Sequence, residues 1–164
     1  MMTKNKQTGA VLIVSLLMLT VMTMIGVTAM QSNLLQEKMA GNFRDMNVAF
    51  QAAEVALRDA ETDIFTNISG LTGFNTSCTN GLCDATTGFN QVWKNSATKN
   101  KGVPYGTNTN ATAIANVSCQ PKYWIEGFKA KTFGGQWQTR YRVTTTACGG
   151  NPDTQVILQA VYKP

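Results

Sequence analysis

The chain has 164 residues, which indicates one small globular domain once its apolar N-terminal part is set aside. Its formal charge of +5 comes from 14 basic and 9 acidic residues, and without Lys4 and Lys6 the balance is 12 basic against 9 acidic. The remaining lysines are scattered and do not alternate with aromatic residues, so nothing in the composition favours nucleic-acid binding.

The sequence contains no histidine, which is the usual general base and the commonest metal ligand. A Ser-His-Asp or Cys-His catalytic site therefore cannot be assembled, and no enzyme activity, cofactor or metal is predicted. Carboxylates remain at Glu54, Asp59, Glu61 and Asp63. We expect them on the solvated side of a helix, where nothing would place them in a cleft.

The N-terminal residues combine a short basic stretch with a long apolar one. Lys4 and Lys6 precede Gly9, and the next 21 residues carry no charge (AVLIVSLLMLTVMTMIGVTAM). A helix of that length, at about 1.5 Å per residue, spans roughly 30 Å of hydrocarbon. The run is too long for a cleaved secretory signal, whose apolar region holds about 7–15 residues. We predict a transmembrane helix over residues 10–32 with a cytoplasmic N-terminus, since the lysines precede it.

Apolar residues continue at helical spacing over residues 33–65, in steps of three, four and seven. This stripe consists of Leu35, Met39, Phe43, Met46, Phe50, Ala53, Leu57, Ala60 and Ile64. It predicts an amphipathic continuation of the same helix, packed against a sheet. A coiled coil is the alternative, but Gly41 and Asn42 interrupt the heptads.

Residues 66–164 are predicted to form the globular domain. Residues 66–120 are rich in Asn, Thr, Ser and Gly and indicate a loop-rich region. Runs of β-forming residues follow at 123–129, 136–146 and 155–162, separated by turn residues. They predict an antiparallel sheet of three or more strands, so the fold class is α+β. In the middle strand Tyr141 and Val143 share one face, which we expect to cover the helix.

Four cysteines, Cys78, Cys83, Cys119 and Cys148, follow the predicted membrane segment. An even number of cysteines in an exported region favours disulfides, which would tether the loop-rich middle. Four cysteines allow three pairings, and sequence proximity alone favours Cys78 with Cys83 and Cys119 with Cys148. A zinc site is the competing interpretation, but the sequence lacks both a Cys-x-x-Cys unit and histidine.

Three stretches of the sequence resemble segments of known proteins. The leader MMTKNKQTG, residues 1–9, is similar to the class III leader of type IV pilins. KMAGNFRDMNVAFQAAEVALRDAE, residues 38–61, resembles the N-terminal helix of PilX-type minor pilins of type IV pili, and YRVTTTACGGNPDTQVILQAVY, residues 141–162, resembles their closing hairpin. The resemblance implies a pilin-like fold, in which one long helix packs on a C-terminal sheet. Residues 66–120 carry no resemblance.

The resemblance also implies how the chain is processed and what it does. A prepilin peptidase would cut after Gly9, and the new N-terminus at Ala10 would be methylated. The chain would be a minor pilin that helps to initiate pilus assembly and joins the filament at or near its tip. Its location would be the inner membrane, with the C-terminal domain in the periplasm, and then the pilus on the cell surface.

The partners that the resemblance implies are other minor and major pilins, contacted through the N-terminal helix. The other implied partners are the prepilin peptidase, the inner membrane before assembly and a tip adhesin. No nucleic-acid partner is expected.

The chain departs from the pilin pattern at the fifth residue after Gly9. Most type IV pilins carry glutamate there, which is thought to pair with the methylated amine of a neighbour, whereas this chain has Val14. A lone carboxylate in lipid is costly, so valine favours insertion but removes an assembly contact. Our hypothesis is that a subunit at the tip, with no neighbour above it, dispenses with that contact.

Two alternatives stay open at this stage. The chain could be a minor pseudopilin of a type II secretion system, or an uncleaved, signal-anchored periplasmic binding module. A methylated Ala10 would favour a pilin or pseudopilin, and an intact Met1 would favour the anchored module.

Overall fold

The computed structural model describes residues 9–86, 88 and 91–164, which form one long helix and a five-stranded sheet. Helix α1 spans Ala10–Asn67. The predicted leader lies outside the described residues, except for Gly9. The chain divides into two compact units, Met1–Asn42 and Phe43–Pro164, and α1 contributes residues to both.

The sheet belongs to the second unit. Its strands are β1 (Leu82–Asp84), β2 (Val103–Pro104), β3 (Lys122–Lys131), β4 (Trp137–Cys148) and β5 (Gln155–Tyr162). The order is β1-β3-β4-β5, and β2 also pairs with β3. β3, β4 and β5 are antiparallel neighbours, which confirms the predicted three-stranded part. β1 runs parallel to β3, so the full sheet is mixed. The long connection between them permits the crossover that a parallel pair needs.

The core lies between the sheet and residues 43–67 of α1. Ile64 packs with Ile125 of β3 and with Tyr141 and Val143 of β4. A second cluster joins two alanines of α1 to Ala147 of β4. The face of β4 that was expected to cover the helix therefore does so.

The predicted stripe on α1 is confirmed in its second half, where Ala53, Ala60 and Ile64 are buried, and is wrong in its first half. Phe43, Met46 and Phe50 are 70%, 57% and 45% exposed, whereas Ala49 and Ala56 are fully buried. At Phe50 the buried face is thus displaced by one position, to Ala49. Alanine lets the helix backbone approach the sheet closely, and a bulky side chain at the same position would not fit between them.

The opposite face of the sheet is covered by the segment around Val92–Lys101. Trp124 of β3 packs against Val92, and its indole N–H donates to the Thr98 carbonyl at 3.0 Å. Beside it, Arg142 donates to both carboxylate oxygens of Glu126, at 2.8 and 2.5 Å. This two-pronged ion pair compensates the charge that the covered face buries. Part of the loop-rich middle therefore forms a third layer over the sheet.

Two disulfides tie this middle region to the sheet. They join Cys78 to Cys83 and Cys119 to Cys148, the pairing that sequence proximity favours. Because all four cysteines are engaged in these bonds, the zinc interpretation is not supported. The first bond closes the turn before β1, and the second joins the segment before β3 to the end of β4.

Candidate functional site

The junction between Gly9 and Ala10 lies at the start of the helix. Gly9 directly precedes α1, and its carbonyl accepts a hydrogen bond from the Leu12 N–H at 3.3 Å. A Cβ added at Gly9 would meet no atom within 4 Å. Among the described residues nothing in the packing requires glycine at this position.

The first unit presents an apolar helix surface. The large aliphatic side chains from Val11 to Met30 are all more than half exposed, between 53% at Val21 and 79% at Val11. No acidic or basic residue lies between Ala10 and Gln36. Helix α1 is long and apolar enough to cross a membrane. Leu35 and Met39, which the predicted stripe placed against a sheet, are exposed as well.

The hydroxyl groups within this apolar stretch are satisfied by the helix itself. Ser15 donates to the Leu12 carbonyl at 2.9 Å, and Thr20 donates to the Leu17 carbonyl at 2.8 Å. Thr23 and Thr28 make the same kind of bond to carbonyls three or four residues earlier. Such bonds remove the cost of an unpaired hydroxyl in an environment without water. The whole surface is therefore suited to an apolar surrounding.

Val14 lies on this surface and is exposed. A valine side chain offers neither a charge nor a hydrogen bond to a neighbouring chain. Its contribution to any contact of the helix is restricted to apolar packing.

In the second unit a further apolar row continues on α1. Phe43, Met46 and Phe50 are spaced by three and four residues, so their exposed side chains lie along one side of the helix. Large apolar side chains exposed together on a folded domain mark a surface that contacts another molecule. The row borders the buried alanine face that holds α1 against the sheet.

The turn between β4 and β5 is fastened to α1 by Asp45. Its carboxylate Oδ1 accepts hydrogen bonds from the Gly150 N–H at 2.6 Å and the Asn151 N–H at 3.3 Å. A hydrogen bond from the Thr154 side chain, aided by these backbone groups, lowers the pKa of Asp45, although desolvation opposes the shift. A Cβ at Gly149 would lie 2.7 Å from the Asp45 carbonyl oxygen, so only glycine permits this approach.

Asp45 joins the two regions that resemble the PilX type, residues 38–61 and 141–162. No local pattern in the sequence linked the aspartate to the glycines of the turn, because the contact depends on how the helix crosses the sheet. Glycines are common in turns, so the turn alone accounted for Gly149 and Gly150, and their contact with Asp45 was not predicted.

Asp59 and Asp63 are buried, with 6% and 2% of their surface exposed, so the expectation that they are solvated was wrong. Asp59 accepts hydrogen bonds from the Gly106 N–H at 2.9 Å and from the Thr109 hydroxyl. Both donors belong to the loop between β2 and β3, which the carboxylate therefore holds on the helix. Glu54 is exposed, as expected.

Asp63 connects the same loop to the core. Its Oδ2 accepts from the Tyr123 hydroxyl at 2.9 Å and from the Asn108 amide at 2.7 Å, while Oδ1 accepts from the Asn67 amide at 2.8 Å. Burial raises the pKa of Tyr123, and the hydrogen bond to Asp63 adds to the rise. Since protein donors occupy both oxygens, the carboxylate serves as a structural anchor.

A sequence signal for these two buried aspartates existed. They are four residues apart and lie on the same helix face as the buried Ala56 and Ala60. A pattern drawn through alanines as well as larger residues would have placed them inward.

Among residues 9–86, 88 and 91–164, no group of three or more His, Cys, Asp or Glu side chains is arranged to hold a metal ion. The described residues do present two exposed apolar surfaces, the helix from Ala10 onward and the row of Phe43, Met46 and Phe50.

Comparison with known families covers nearly the whole chain. The family described as PilX N-terminal matches residues 8–58, and the family described as type IV pilus assembly protein PilX C-term matches residues 70–164. No curated protein and no solved structure gives a match. The first match includes the Gly9–Ala10 junction and Asp45, and the second includes both disulfides and the β4–β5 turn. The chain therefore belongs to the PilX family of type IV pilus assembly proteins.

Proposed function

We propose that this chain is a minor pilin that is processed between Gly9 and Ala10, waits in the inner membrane, and enters the pilus when assembly begins. Membership of the PilX family supports a non-catalytic assembly role. One observation carries the proposal: the helix begins at Ala10 and exposes aliphatic side chains along its whole first unit.

The physical basis is an exchange between two apolar environments. In the membrane these side chains contact lipid, and in a filament they contact the helices of neighbouring pilins. Neither state exposes them to water, so the transfer loses little hydrophobic free energy. The hydroxyls of Ser15 and Thr20 are bonded within the helix and do not oppose the transfer.

The proposed topology has the N-terminus in the cytoplasm and the unit Phe43–Pro164 in the periplasm. Lys4 and Lys6 before the helix support the orientation. The two disulfides support an oxidising location for the second unit.

Val14 supports a position at or near the tip of the filament, beside an adhesin. A subunit with no neighbour above it does not need the glutamate that most pilins carry at this position. If Val14→Glu raises incorporation into the filament shaft and leaves initiation intact, the tip position gains support. A variant that changes neither property counts against it.

Mass spectrometry of the N-terminus tests the processing step. The expected result is a chain that starts at methylated Ala10, and an intact Met1 would overturn the proposal. Gly9→Leu should block cleavage, whereas Gly26→Ala should be cleaved normally. A Cβ at either glycine meets no atom within 4 Å, so a difference in cleavage would reflect recognition by the peptidase and not a change in the fold.

Deletion of the coding sequence tests the assembly role. Surface pili and twitching motility should be lost and should return with the wild-type chain, while export by a type II secretion system should continue. Loss of that export with intact pili would instead identify a pseudopilin.

A further inference from the structure

The two edges of the sheet are built differently. On one edge β3 is flanked by β1 and β2, strands of three and two residues, and β2 contains Pro104. The rest of β3 on that side carries Lys129 and Lys131. Very short strands, proline and lysine are features that keep an edge from pairing with another chain. β5 forms the other edge with eight residues, QVILQAVY, that include no charge, proline or glycine.

The register of β5 identifies its free main-chain groups. The Gly149 N–H donates to the Thr154 carbonyl at 2.9 Å, and these residues face each other in continuation of the β4–β5 pairing. Bonded and non-bonded pairs alternate along an antiparallel ladder. The N–H and C=O groups that point away from β4 are therefore those of Gln155, Ile157, Gln159 and Val161. Within the described residues no other strand pairs with them.

The same residues also have exposed side chains. Ile157 and Val161 are 40% and 60% exposed, and the glutamines beside them are uncharged. Pro152 and Asp153 precede the strand, and Lys163 and Pro164 follow it. Residues that discourage pairing thus flank β5 and are absent from within it.

We propose that the β5 edge is a docking site for an extended segment of another pilus protein, which pairs with β5 as an additional strand. The class of partner rests on the proposed function. The segment supplies N–H and C=O groups to Ile157 and Gln159 and apolar side chains against Ile157 and Val161. It carries no lysine or arginine, because Lys163 follows the strand and no carboxylate lies on β5.

A second copy of this chain cannot supply the additional strand within one filament. Antiparallel pairing of two β5 strands places a twofold axis perpendicular to the sheet, which reverses residues 43–67 of α1 in the partner copy. In the proposed function, the subunits of one filament all leave the membrane with α1 in the same direction. The site therefore fits a strand from a different protein.

Site-specific photocrosslinking in piliated cells tests the location. The full chain carries p-benzoylphenylalanine at Gln159, and the matched control carries it at Lys129 on the closed edge. Peptide mass spectrometry identifies the captured segment. We expect a crosslink from position 159 to a segment of another pilus protein that contains no lysine or arginine, and little from position 129.

Two substitutions at Ile157 test the main-chain pairing. Ile157→Pro removes an N–H that points away from β4, so the β4–β5 pairing stays intact. It should lower the crosslink yield from position 159 about tenfold, the effect of one lost buried hydrogen bond. Ile157→Thr keeps the N–H and the branched shape and should retain most of the yield. If Ile157→Pro does not accumulate as a disulfide-bonded chain, Val161→Pro replaces it in this test.

Several outcomes overturn the proposal: an unchanged crosslink in a folded proline variant, equal capture from positions 129 and 159, capture of this chain alone, or no capture at all. The test is separate from that of the proposed function. If deletion abolishes pili and the folded proline variant restores them fully with an unchanged crosslink, only the docking site is wrong. If deletion leaves pili unaffected, the proposed function fails.

Discussion

Asp45 and Gly150 are 105 positions apart in sequence, yet the carboxylate of one accepts a 2.6 Å hydrogen bond from the backbone of the other. The bond fixes the β4–β5 turn against the side of α1. It therefore sets where the helix crosses the sheet, and with it which helix residues stay exposed.

The contact should be sensitive to a single methyl group at Gly149. A Cβ there would lie 2.7 Å from the Asp45 carbonyl oxygen, which cannot move without the helix. We expect Gly149→Ala to lower the free energy of unfolding by about 1–3 kcal/mol, measured by urea denaturation of the full chain in detergent. Gly150→Ala is the matched control, because its Cβ would meet the Asp45 side-chain oxygen at 3.2 Å and no backbone oxygen closer than that of Asn116 at 4.0 Å. Equal effects of the two substitutions would contradict this account.

The charge of Asp45 should make stability depend on acid pH. Hydrogen bonds lower the pKa of this carboxyl in the folded chain below its ordinary value of 3.8. The stabilisation is therefore present above pH 3.8 and is lost as the pH falls through the lower folded value. Wild type should be more stable than Asp45→Asn at neutral pH, and thermal unfolding should show this difference in stability shrinking as the pH falls below 3.8. A difference independent of pH would show that the charge plays no part.

The hydroxyl of Tyr123 should stabilise the core through Asp63. Tyr123→Phe leaves Oδ2 of the buried carboxylate with one donor fewer, and we expect a loss of about 1–3 kcal/mol in urea denaturation. Because the pKa of Tyr123 is raised above 10.0, the advantage of wild type should persist up to that pH and decline as the pH rises further. An equally stable phenylalanine variant would mean that water replaces the missing donor.

The two disulfides should contribute unequally. Cys119 and Cys148 are 29 positions apart and Cys78 and Cys83 only 5, so the first bond closes the longer loop in the unfolded chain. Chain entropy predicts that replacing the Cys119–Cys148 pair by serines costs about 1.5 kcal/mol more than replacing the other pair. Urea denaturation of the two double-serine variants measures this difference. The reverse order would point to strain or packing instead of loop closure.

The sequence predicted the C-terminal strands well and the helix contacts only in part, for physical reasons. β3, β4 and β5 follow from alternation and from turn residues, which act locally. The buried face of α1 depends on how closely the helix approaches the sheet, and that distance favoured Ala49 over Phe50. The hold of Asp59 and Asp63 on the loop between β2 and β3 could not be predicted, because that loop is irregular and distant in sequence.

The arrangement of residue sizes on α1 has a consequence for assembly. Most domains keep their bulkiest apolar residues inside, but here alanines face the sheet while Phe43, Met46 and Phe50 face outward. These exposed side chains form an apolar surface that a neighbouring molecule would cover. The isolated chain should then be less stable than the assembled one, and its stability should rise with the concentration of its partners. The same apolar surface would therefore expose the isolated chain to cellular quality control and bind its partners during pilus assembly.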